Sequence, residues 1–355
     1  MQGACQDPFA FKFHWINEQG NAAGMFRKLG RFDGETLTLE KTEIPAAAIV
    51  QSVVRDNRIV LGIHTNDAQR PVARLSFQPA SEEVTSTLKQ RLDVARSRTW
   101  ASQHRESLQG KGTEDTYRDA VCPACGATVI LSGMPNSPQL YCQFCDSLTT
   151  IDPAAQPVKD EHTFKLCDEC GMYSKPRKFT VFYFYSLLVV SGWWSKATWR
   201  CPGCMRMEAW KMFLGNAPFL LGVPVAITQL VRCYGSDAVN GPFKGLDAGN
   251  LLAKKGDLVG ALRLYQGILD RIRCSAGVKY NLGMALLTQG DSQRAAEAFE
   301  LALEDCSNYV PAYQRLKSLY LALGQADQLA ELERLWALGE EDERDETSII
   351  EAEIA

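Results

Sequence analysis

Cysteine spacing is the feature of this chain that points most directly to chemistry. Eight of its twelve cysteines form four Cys-x-x-Cys pairs. Two intervening residues allow one tight turn to direct both thiolates at a single ion, and two such turns complete a tetrahedral Zn²⁺ shell. A shell of this kind has no open coordination position, so it stabilises structure and does not activate a substrate. The pairs are Cys122 and Cys125, Cys142 and Cys145, Cys167 and Cys170, and Cys201 and Cys204.

The first four of these cysteines are predicted to bind one Zn²⁺. Sixteen residues separate the two pairs, which is within the range used by zinc sites of this type. Gly126 follows the second cysteine and accommodates a positive φ, and Val129 to Leu131 supply strand-forming residues between the two turns. Residues 121–152 therefore resemble a zinc ribbon, which implies a structural role for the metal.

The second four cysteines enclose a long apolar run. Thirty residues separate the two pairs and include an aromatic and β-branched run from Phe179 to Val190. A membrane-spanning helix needs about 20 apolar residues, and a span here would leave the two pairs on opposite sides of a bilayer. The composition and the Ser191-Gly192 break instead favour a long hairpin. We therefore expect residues 162–210 to form a second zinc ribbon whose four cysteines share one Zn²⁺.

Length and charge limit the possible function classes. A chain of 355 residues suits two to four domains. The net charge of -4 is uneven, because residues 339–355 carry eight acidic residues against one basic residue and are predicted to form an acidic tail. The rest of the chain is only mildly basic, which argues against nucleic acid as a partner. Residues 1–10 show no secretory signal, and metal-spaced cysteines suit a reducing compartment, so we expect a cytoplasmic protein.

Residues 1–108 are predicted to form a β-rich module with a C-terminal helix. Apolar residues alternate from Phe9 to Trp15, and the run from Ile49 to Ile63 breaks at Asp56-Asn57 as a hairpin would. Ser81 is a candidate N-cap for a helix that follows. This order of several strands and then one helix resembles the pleckstrin-homology fold, while a generic α+β module fits equally. The apolar face of the helix would comprise Val84, Leu88, Leu92 and Ala95.

An uncharged stretch follows the second group of cysteines. Residues 212–231 carry no charge and contain Pro218 and Pro224. Residues 165–212 carry eight basic residues against three acidic ones, and basic residues beside aromatic ones are attracted to anionic membranes. Three interpretations stay open for the helical element predicted at residues 211–236: short buried helices, a hairpin in contact with a membrane, or a single span. Contact through residues 179–231 would make the protein membrane-associated.

The chain from residue 246 to 338 repeats with a period of thirty-four residues. Gly256, Gly290 and Gly324 follow this period, and so do three further pairs: Gly249 and Gly283, Ala261 and Ala295, and Tyr265 and Phe299. The pattern resembles the tetratricopeptide repeat, which implies an all-α solenoid of paired helices. The small residues would let paired helices approach, and the aromatic residues would fill the gap between neighbouring repeats. In the third repeat Lys317, Leu329 and Glu333 replace the small, small and aromatic residues.

The tetratricopeptide resemblance also implies a partner. Members of that family bind peptides in a groove that is lined by the first helix of each repeat. In members that bind a C-terminal carboxylate, a clamp of lysines, asparagines and an arginine contacts the peptide, and Asn250, Asn281 and Arg315 occupy matching positions here. Leu246 and Pro311 replace the two lysines, which argues against a carboxylate clamp. We therefore expect a protein or peptide partner and a non-enzymatic adaptor or scaffold.

Two other functions stay open at this point. Zinc ribbons also serve in nucleic-acid-binding proteins, although residues 121–152 lack a stripe of Arg and Lys. An open Cys-x-x-Cys pair would suit a thiol-disulfide enzyme, whereas bound Zn²⁺ would shield all eight sulfurs. The chain contains no nucleotide-binding or hydrolase motif and only four scattered histidines, so no catalytic residue is predicted. The combined prediction is a multidomain α+β protein with two structural Zn²⁺ sites.

Overall fold

The computed structural model describes residues 8–17, 19–55, 57–65, 72–154, 158–187, 190–217, 222–234, 239 and 241–340. The chain forms two compact units, residues 1–134 with 334–355 and residues 135–333. A seven-stranded antiparallel sheet comes first, followed by short two-stranded sheets and helices. This confirms the predicted α+β class. Cys5 and, beyond Glu340, the predicted acidic tail lie outside the described residues.

The N-terminal strands form one antiparallel sheet in the order β4-β3-β2-β1-β7-β6-β5. At the turn predicted near Asp56-Asn57, Arg55 pairs with Arg58 and Asn57 has φ 63°, the left-handed conformation that a two-residue hairpin turn requires. The strands are β1 (Phe9–Ile16), β2 (Ala22–Phe32), β3 (Thr36–Leu39), β4 (Thr42–Pro45), β5 (Ile49–Arg55), β6 (Arg58–His64) and β7 (Val72–Pro79).

One long helix covers the core of this sheet. Helix α1 (Glu82–Gly110) begins at the predicted cap, since Ser81 Oγ accepts a hydrogen bond from Val84 N. Leu88 and Leu92 are fully buried in the same cluster as Phe13 and Phe77. The helix face expected from the apolar spacing is therefore the face that closes the core of the sheet.

Short antiparallel strand pairs form around the cysteines, and a longer hairpin follows them. The hairpin comprises β14 (Arg177–Leu187) and β15 (Val190–Arg200). Ser191 lies opposite Ser186 and Gly192 opposite Tyr185, so the Ser-Gly pair lies inside β15 instead of at the expected break. The short strands are β8 (Asp119–Val121), β9 (Thr128–Ile130), β10 (Gln139–Cys142), β11 (Ser147–Thr150), β12 (Lys165–Leu166) and β13 (Tyr173–Ser174).

Two helices occur in and before the apolar stretch at residues 211–236, where short buried helices were one of the three interpretations. Helix α2 (Pro202–Asn216) begins directly after Cys201, and helix α3 (Val223–Tyr234) follows. Met205, Ala209 and Met212 of α2 are buried in one cluster with Phe179 and Val181 of β14. Within the described residues, no helix has the length and apolar character needed to cross a membrane.

The C-terminal helices occur as consecutive pairs. Each glycine of the thirty-four-residue period ends the first helix of a pair in the left-handed conformation: Gly256 has φ 83°, Gly290 φ 78° and Gly324 φ 69°. Glycine adopts this conformation without the strain that a side chain would introduce. The helices are α4 (Leu246–Lys254), α5 (Leu258–Leu269), α6 (Ala276–Thr288), α7 (Ser292–Asp305), α8 (Val310–Leu323) and α9 (Ala326–Glu340).

The close approach within each pair depends on glycine and an aromatic ring. A Cβ atom on Gly249 would lie 2.7 Å from the ring of Tyr265, and one on Gly283 would lie 2.7 Å from Phe299. Each aromatic ring therefore fills a gap inside its own helix pair, whereas the sequence suggested a gap between neighbouring repeats. In the third pair, an ion pair takes this place: Lys317 Nζ lies 2.7 Å from Glu333 Oε1.

Candidate metal centres

The first group of cysteines forms a four-sulfur site. The sulfur atoms of Cys122, Cys125, Cys142 and Cys145 all lie within 4.8 Å of one another, which confirms the predicted grouping. Each pair is formed by a tight turn. Gly126 N–H donates to the Cys122 carbonyl at 2.9 Å, and Asp146 N–H donates to the Cys142 carbonyl at 2.8 Å. Gly126 has φ 79°, as expected for the residue after the second cysteine, and Asp146 has φ 56°.

Helix α1 supports the first of these turns. Gln90 Nε2 donates to the carbonyl of Cys125 at 3.1 Å, and the buried Ser97 Oγ accepts from Thr128 N at 2.9 Å. These two bonds fix the backbone on both sides of Gly126. The position of the turn is therefore set by the helix that closes the N-terminal sheet.

The second group of cysteines forms another four-sulfur site. The sulfurs of Cys167, Cys170, Cys201 and Cys204 also lie within 4.8 Å of one another, so the predicted sharing of one site is confirmed. The distance between the sulfurs of Cys170 and Cys201 is 3.8 Å. Tetrahedral Zn²⁺ with Zn–S bonds of about 2.3 Å requires sulfur pairs about 3.8 Å apart. Four thiolates at this spacing fit Zn²⁺, which would act as an electrostatic cross-link when bound.

The hairpin brings the two pairs of the second site together. Strand β15 returns the chain to the start of β14, where Arg200 lies opposite Arg177, and Cys201 follows at once. Asp168 Oδ2 accepts from Trp199 N at 2.7 Å, and Asp168 N donates to the Trp199 carbonyl at 2.9 Å. The described part of the thirty-residue insertion thus forms a hairpin, and the end of its second strand places Cys201 beside Cys167, with Cys201 N 3.3 Å from Cys167 Sγ.

A lysine of the repeat region contacts the second site. Lys254 Nζ of α4 lies 2.9 Å from Cys204 Sγ. Burial lowers the pKa of Lys254, but the hydrogen bond to Cys204 and the charges of Cys204, Cys170 and Cys201 together outweigh this effect, so the pKa of Lys254 is raised. A Zn²⁺ ion with four thiolates carries a net charge of about minus two, so an ammonium group at this position offsets part of the charge.

Replacing Lys254 by methionine is expected to weaken Zn²⁺ binding at the second site about tenfold, as contacts to ligating atoms commonly do. The quantity to measure is Zn²⁺ transfer from the intact protein to a competing chelator. Lys255→Met is the matched control, because Lys255 is exposed and adjacent. Equal transfer curves for the two variants would show that Lys254 does not stabilise the site.

An asparagine of the repeat region binds the backbone of the second ribbon. Asn281 Oδ1 accepts from Tyr173 N at 2.7 Å, and Asn281 Nδ2 donates to the Tyr173 carbonyl at 2.7 Å. Asn250 Nδ2 donates to the same carbonyl at 2.9 Å, and Tyr265 Oη donates to Asn250 Oδ1 at 2.8 Å. Both asparagines are buried, with exposures of 2% for Asn250 and 0% for Asn281.

These contacts place the predicted peptide-binding residues differently from expectation. The amides of Asn250 and Asn281 are engaged by β13 of the same chain, and Arg315 is exposed on α8. The first-helix face at α4 and α6, which the family resemblance assigns to a peptide, is thus occupied here by the backbone of β13. The sequence could not reveal this, because the two asparagines look the same in either arrangement.

A third asparagine, Asn308, repeats on strand β10 the arrangement that Asn281 makes on β13. Asn308 Oδ1 accepts from Tyr141 N at 3.0 Å, and Asn308 Nδ2 donates to the Tyr141 carbonyl at 2.7 Å. Nearby, Gln139 Oε1 accepts from Ala276 N at 2.8 Å. Tyr141 directly precedes Cys142 of the first four-sulfur site, so the contact fixes the strand that leads into that site. Asn308 was not predicted, since a polar residue just before a helix resembles an ordinary cap.

The remaining described cysteines lie apart from both sites. Cys233 and Cys306 are fully buried, and Cys274 is partly exposed. Burial raises the pKa of all three thiols. A buried thiol with a raised pKa is a poor nucleophile, so these residues suit structural roles.

No protein-family model matches this chain, and a search of curated proteins finds no significant match. The functional argument therefore depends on the two four-sulfur sites and on the backbone contacts made by the repeat helices.

Proposed function

We propose that this protein is a non-enzymatic adaptor in which two structural Zn²⁺ sites brace a frame of helical repeats that binds a partner protein. The observation that carries the proposal is the pair of hydrogen bonds between Asn281 and both backbone groups of Tyr173. These bonds join a closed metal site to the repeat helices. Such an arrangement serves to hold surfaces in place, and it leaves no open position on the metal for a substrate.

Two features support family-level assignments within this proposal. Glycines of the thirty-four-residue period end α4, α6 and α8, and glycine–aromatic contacts close the first two pairs, which supports a tetratricopeptide-like solenoid. The strand order β4-β3-β2-β1-β7-β6-β5 followed by α1 supports a pleckstrin-homology-like N-terminal module. Both modules commonly serve in recognition, which agrees with an adaptor.

The partner is proposed to bind on the side of the repeats that the zinc ribbons leave open. A groove of about 410 Å³ lies between α5, α6 and α7. It combines leucines, including Leu269 and the half-exposed Leu301, with Arg294 and Glu297 at its polar positions. An apolar floor with a few charges suits an amphipathic helix of a partner, whose apolar face would lie in the groove.

This proposal is tested by replacing Leu301 with glutamate. A partner isolated with the zinc-loaded wild-type protein is expected to lose at least about tenfold in affinity, because a charge then faces its apolar side. Leu321→Glu is the matched control, since Leu321 is 61% exposed on α8 and lies outside the groove. Calorimetric titration of each variant with the purified partner gives the two affinities. A partner that binds both variants equally would refute the groove as the adaptor site.

A further inference from the structure

The C-terminal end of helix α2 lies beside strand β14 of the hairpin. Asn216, at the end of α2, donates from Nδ2 to the Phe182 carbonyl at 2.9 Å and accepts at Oδ1 from Phe184 N at 2.9 Å. The Phe182 carbonyl and the Phe184 N–H point to the same side of β14. Because Asn216 bonds both groups, it lies along the edge of β14 that does not pair with β15. Asn216 is fully buried, so this junction is fixed. The end of α2 is therefore held beside the outer half of the hairpin.

Large apolar side chains are exposed at this end. Trp193 is 70% exposed, Trp194 51% and Leu214 68%. The Trp194 ring stacks on Tyr183 with centroids 6.3 Å apart, so this side chain is held in its exposed position. In the sequence, residues 179–194 and 212–231, to which these three side chains belong, contain no charged residue. Exposed aromatic residues in an uncharged region mark a surface for an apolar environment.

Basic residues lie immediately behind these apolar side chains. Lys196 is exposed two residues after Trp194, about 7 Å along the strand. Lys211 is 59% exposed three residues before Leu214, about 5 Å along the helix. The nearby acidic Glu208 lies 3.3 Å from Arg200 and 4.0 Å from Lys211, and it also accepts from the Tyr183 hydroxyl. Asp168 and Glu169 line the same cavity as Lys196, and Glu169 lies 3.0 Å from Arg200. Residues 165–212 as a whole carry eight basic residues against these three acidic ones, so the segment that bears both lysines is positive.

We propose that this part of the hairpin and helix α2 docks on an anionic lipid bilayer. The docking region, called the tip surface, comprises Trp193 and Trp194, which project to opposite faces of β15, and Leu214, together with Lys196 and Lys211. Tryptophan favours the boundary between headgroups and acyl chains, and lysines just outside an apolar insertion are attracted to anionic headgroups. Helices α2 and α3 have 15 and 12 residues, fewer than the roughly 20 of a spanning helix, so the mode is insertion at the interface.

The test is co-sedimentation of the full-length, zinc-loaded protein with vesicles of phosphatidylcholine containing about one third phosphatidylserine. The wild-type protein is expected to bind these vesicles at least about tenfold more tightly than pure phosphatidylcholine vesicles. Each lysine near an anionic surface contributes about a fivefold effect, so K196E/K211E is expected to weaken binding at least about 30-fold. W193S/W194S removes the apolar insertion and is expected to weaken binding at least about tenfold.

Matched controls separate these effects from unfolding. Val259→Ser and Lys255→Glu change exposed residues of the repeat region and are expected to bind vesicles as the wild type does. Every variant must retain the Zn²⁺ content and thermal midpoint of the wild type. Trp193→Ser, which removes the more exposed indole alone, replaces W193S/W194S if that variant fails this criterion, and it is also expected to weaken vesicle binding. Wild-type protein that stays in the supernatant, or binds neutral vesicles equally, would overturn the proposal. So would W193S/W194S dissociating a wild-type dimer while leaving vesicle binding unchanged, because the tip surface would then be a self-association site. The adaptor proposal stands or falls separately, on the Leu301 test.

Discussion

Replacing Cys204 by serine is expected to reduce the Zn²⁺ content from two ions to one per chain and to lower the thermal midpoint by more than about 10 °C. The reason is the composition of the buried cluster at the second site. Its buried cluster consists of Cys167, Cys201 and Cys204 with Cys170 packed against them, so the ligands themselves form the core. Without the ion, no apolar side chain of this cluster compensates for the lost cross-link. Structural Zn²⁺ sites of this kind contribute on the order of 10 kcal/mol to folding.

The measurements are Zn²⁺ content by mass spectrometry of the native protein and thermal unfolding by circular dichroism. Cys274→Ser is the control, because this partly exposed thiol belongs to neither site. It is expected to retain two ions and to shift the midpoint by no more than a few degrees. If Cys204→Ser kept both ions, the four-sulfur arrangement would not be the metal site. The proposal that two Zn²⁺ sites brace the repeat helices would then be wrong.

Replacing Asn281 by alanine is expected to destabilise the protein by about 3 kcal/mol. The substitution removes both hydrogen bonds to the Tyr173 backbone. The buried Tyr173 N–H then lacks its acceptor, the Oδ1 atom of Asn281. The Tyr173 carbonyl keeps one donor, Asn250 Nδ2, which limits the loss. Asn308→Ala is expected to cost a similar amount, because the buried Asn308 makes the same two contacts with Tyr141.

These costs are measured by urea unfolding of the zinc-loaded protein. Hydrogen exchange at the Tyr173 amide is expected to accelerate in Asn281→Ala and not in Asn308→Ala. Gln314→Ala, an exposed amide on α8, is the control and is expected to change stability by less than about 0.5 kcal/mol. A cost below that value for Asn281→Ala would mean that the repeats do not hold the second ribbon. The first-helix face would then be available to a peptide, as the sequence alone suggested.

Asn250 and Asn281 form a coupled pair. Asn281 Nδ2 also donates to Asn250 Oδ1 at 2.9 Å, so the double variant is expected to cost less than the sum of the single ones. Asn308 has no hydrogen bond with either of them among the contacts of the described residues, and its effect is expected to add to theirs. This difference separates one linked contact at Tyr173 from an independent one at Tyr141.

The features that the sequence determined are those with a short, local physical cause. The four ligand pairs follow from the Cys-x-x-Cys turn, which needs only a few residues to aim two sulfurs. The start of α1 follows from the Ser81 cap, and the ends of α4, α6 and α8 follow from glycines that tolerate a positive φ. Even the departure of the third helix pair was visible, since Lys317 and Glu333 replace the glycine and the aromatic residue.

Only the tertiary structure decided what the repeat helices hold. Asn281 and Asn308 bind peptide groups, and every residue other than proline offers the same N–H and C=O, so no sequence pattern marks Tyr173 and Tyr141 as their partners. The same holds for Lys254 beside Cys204 and for Asn216 on the edge of β14, which join segments far apart in the chain. Local turns fix the metal ligands, whereas long-range contacts between amides and backbone fix which surfaces stay open to a partner.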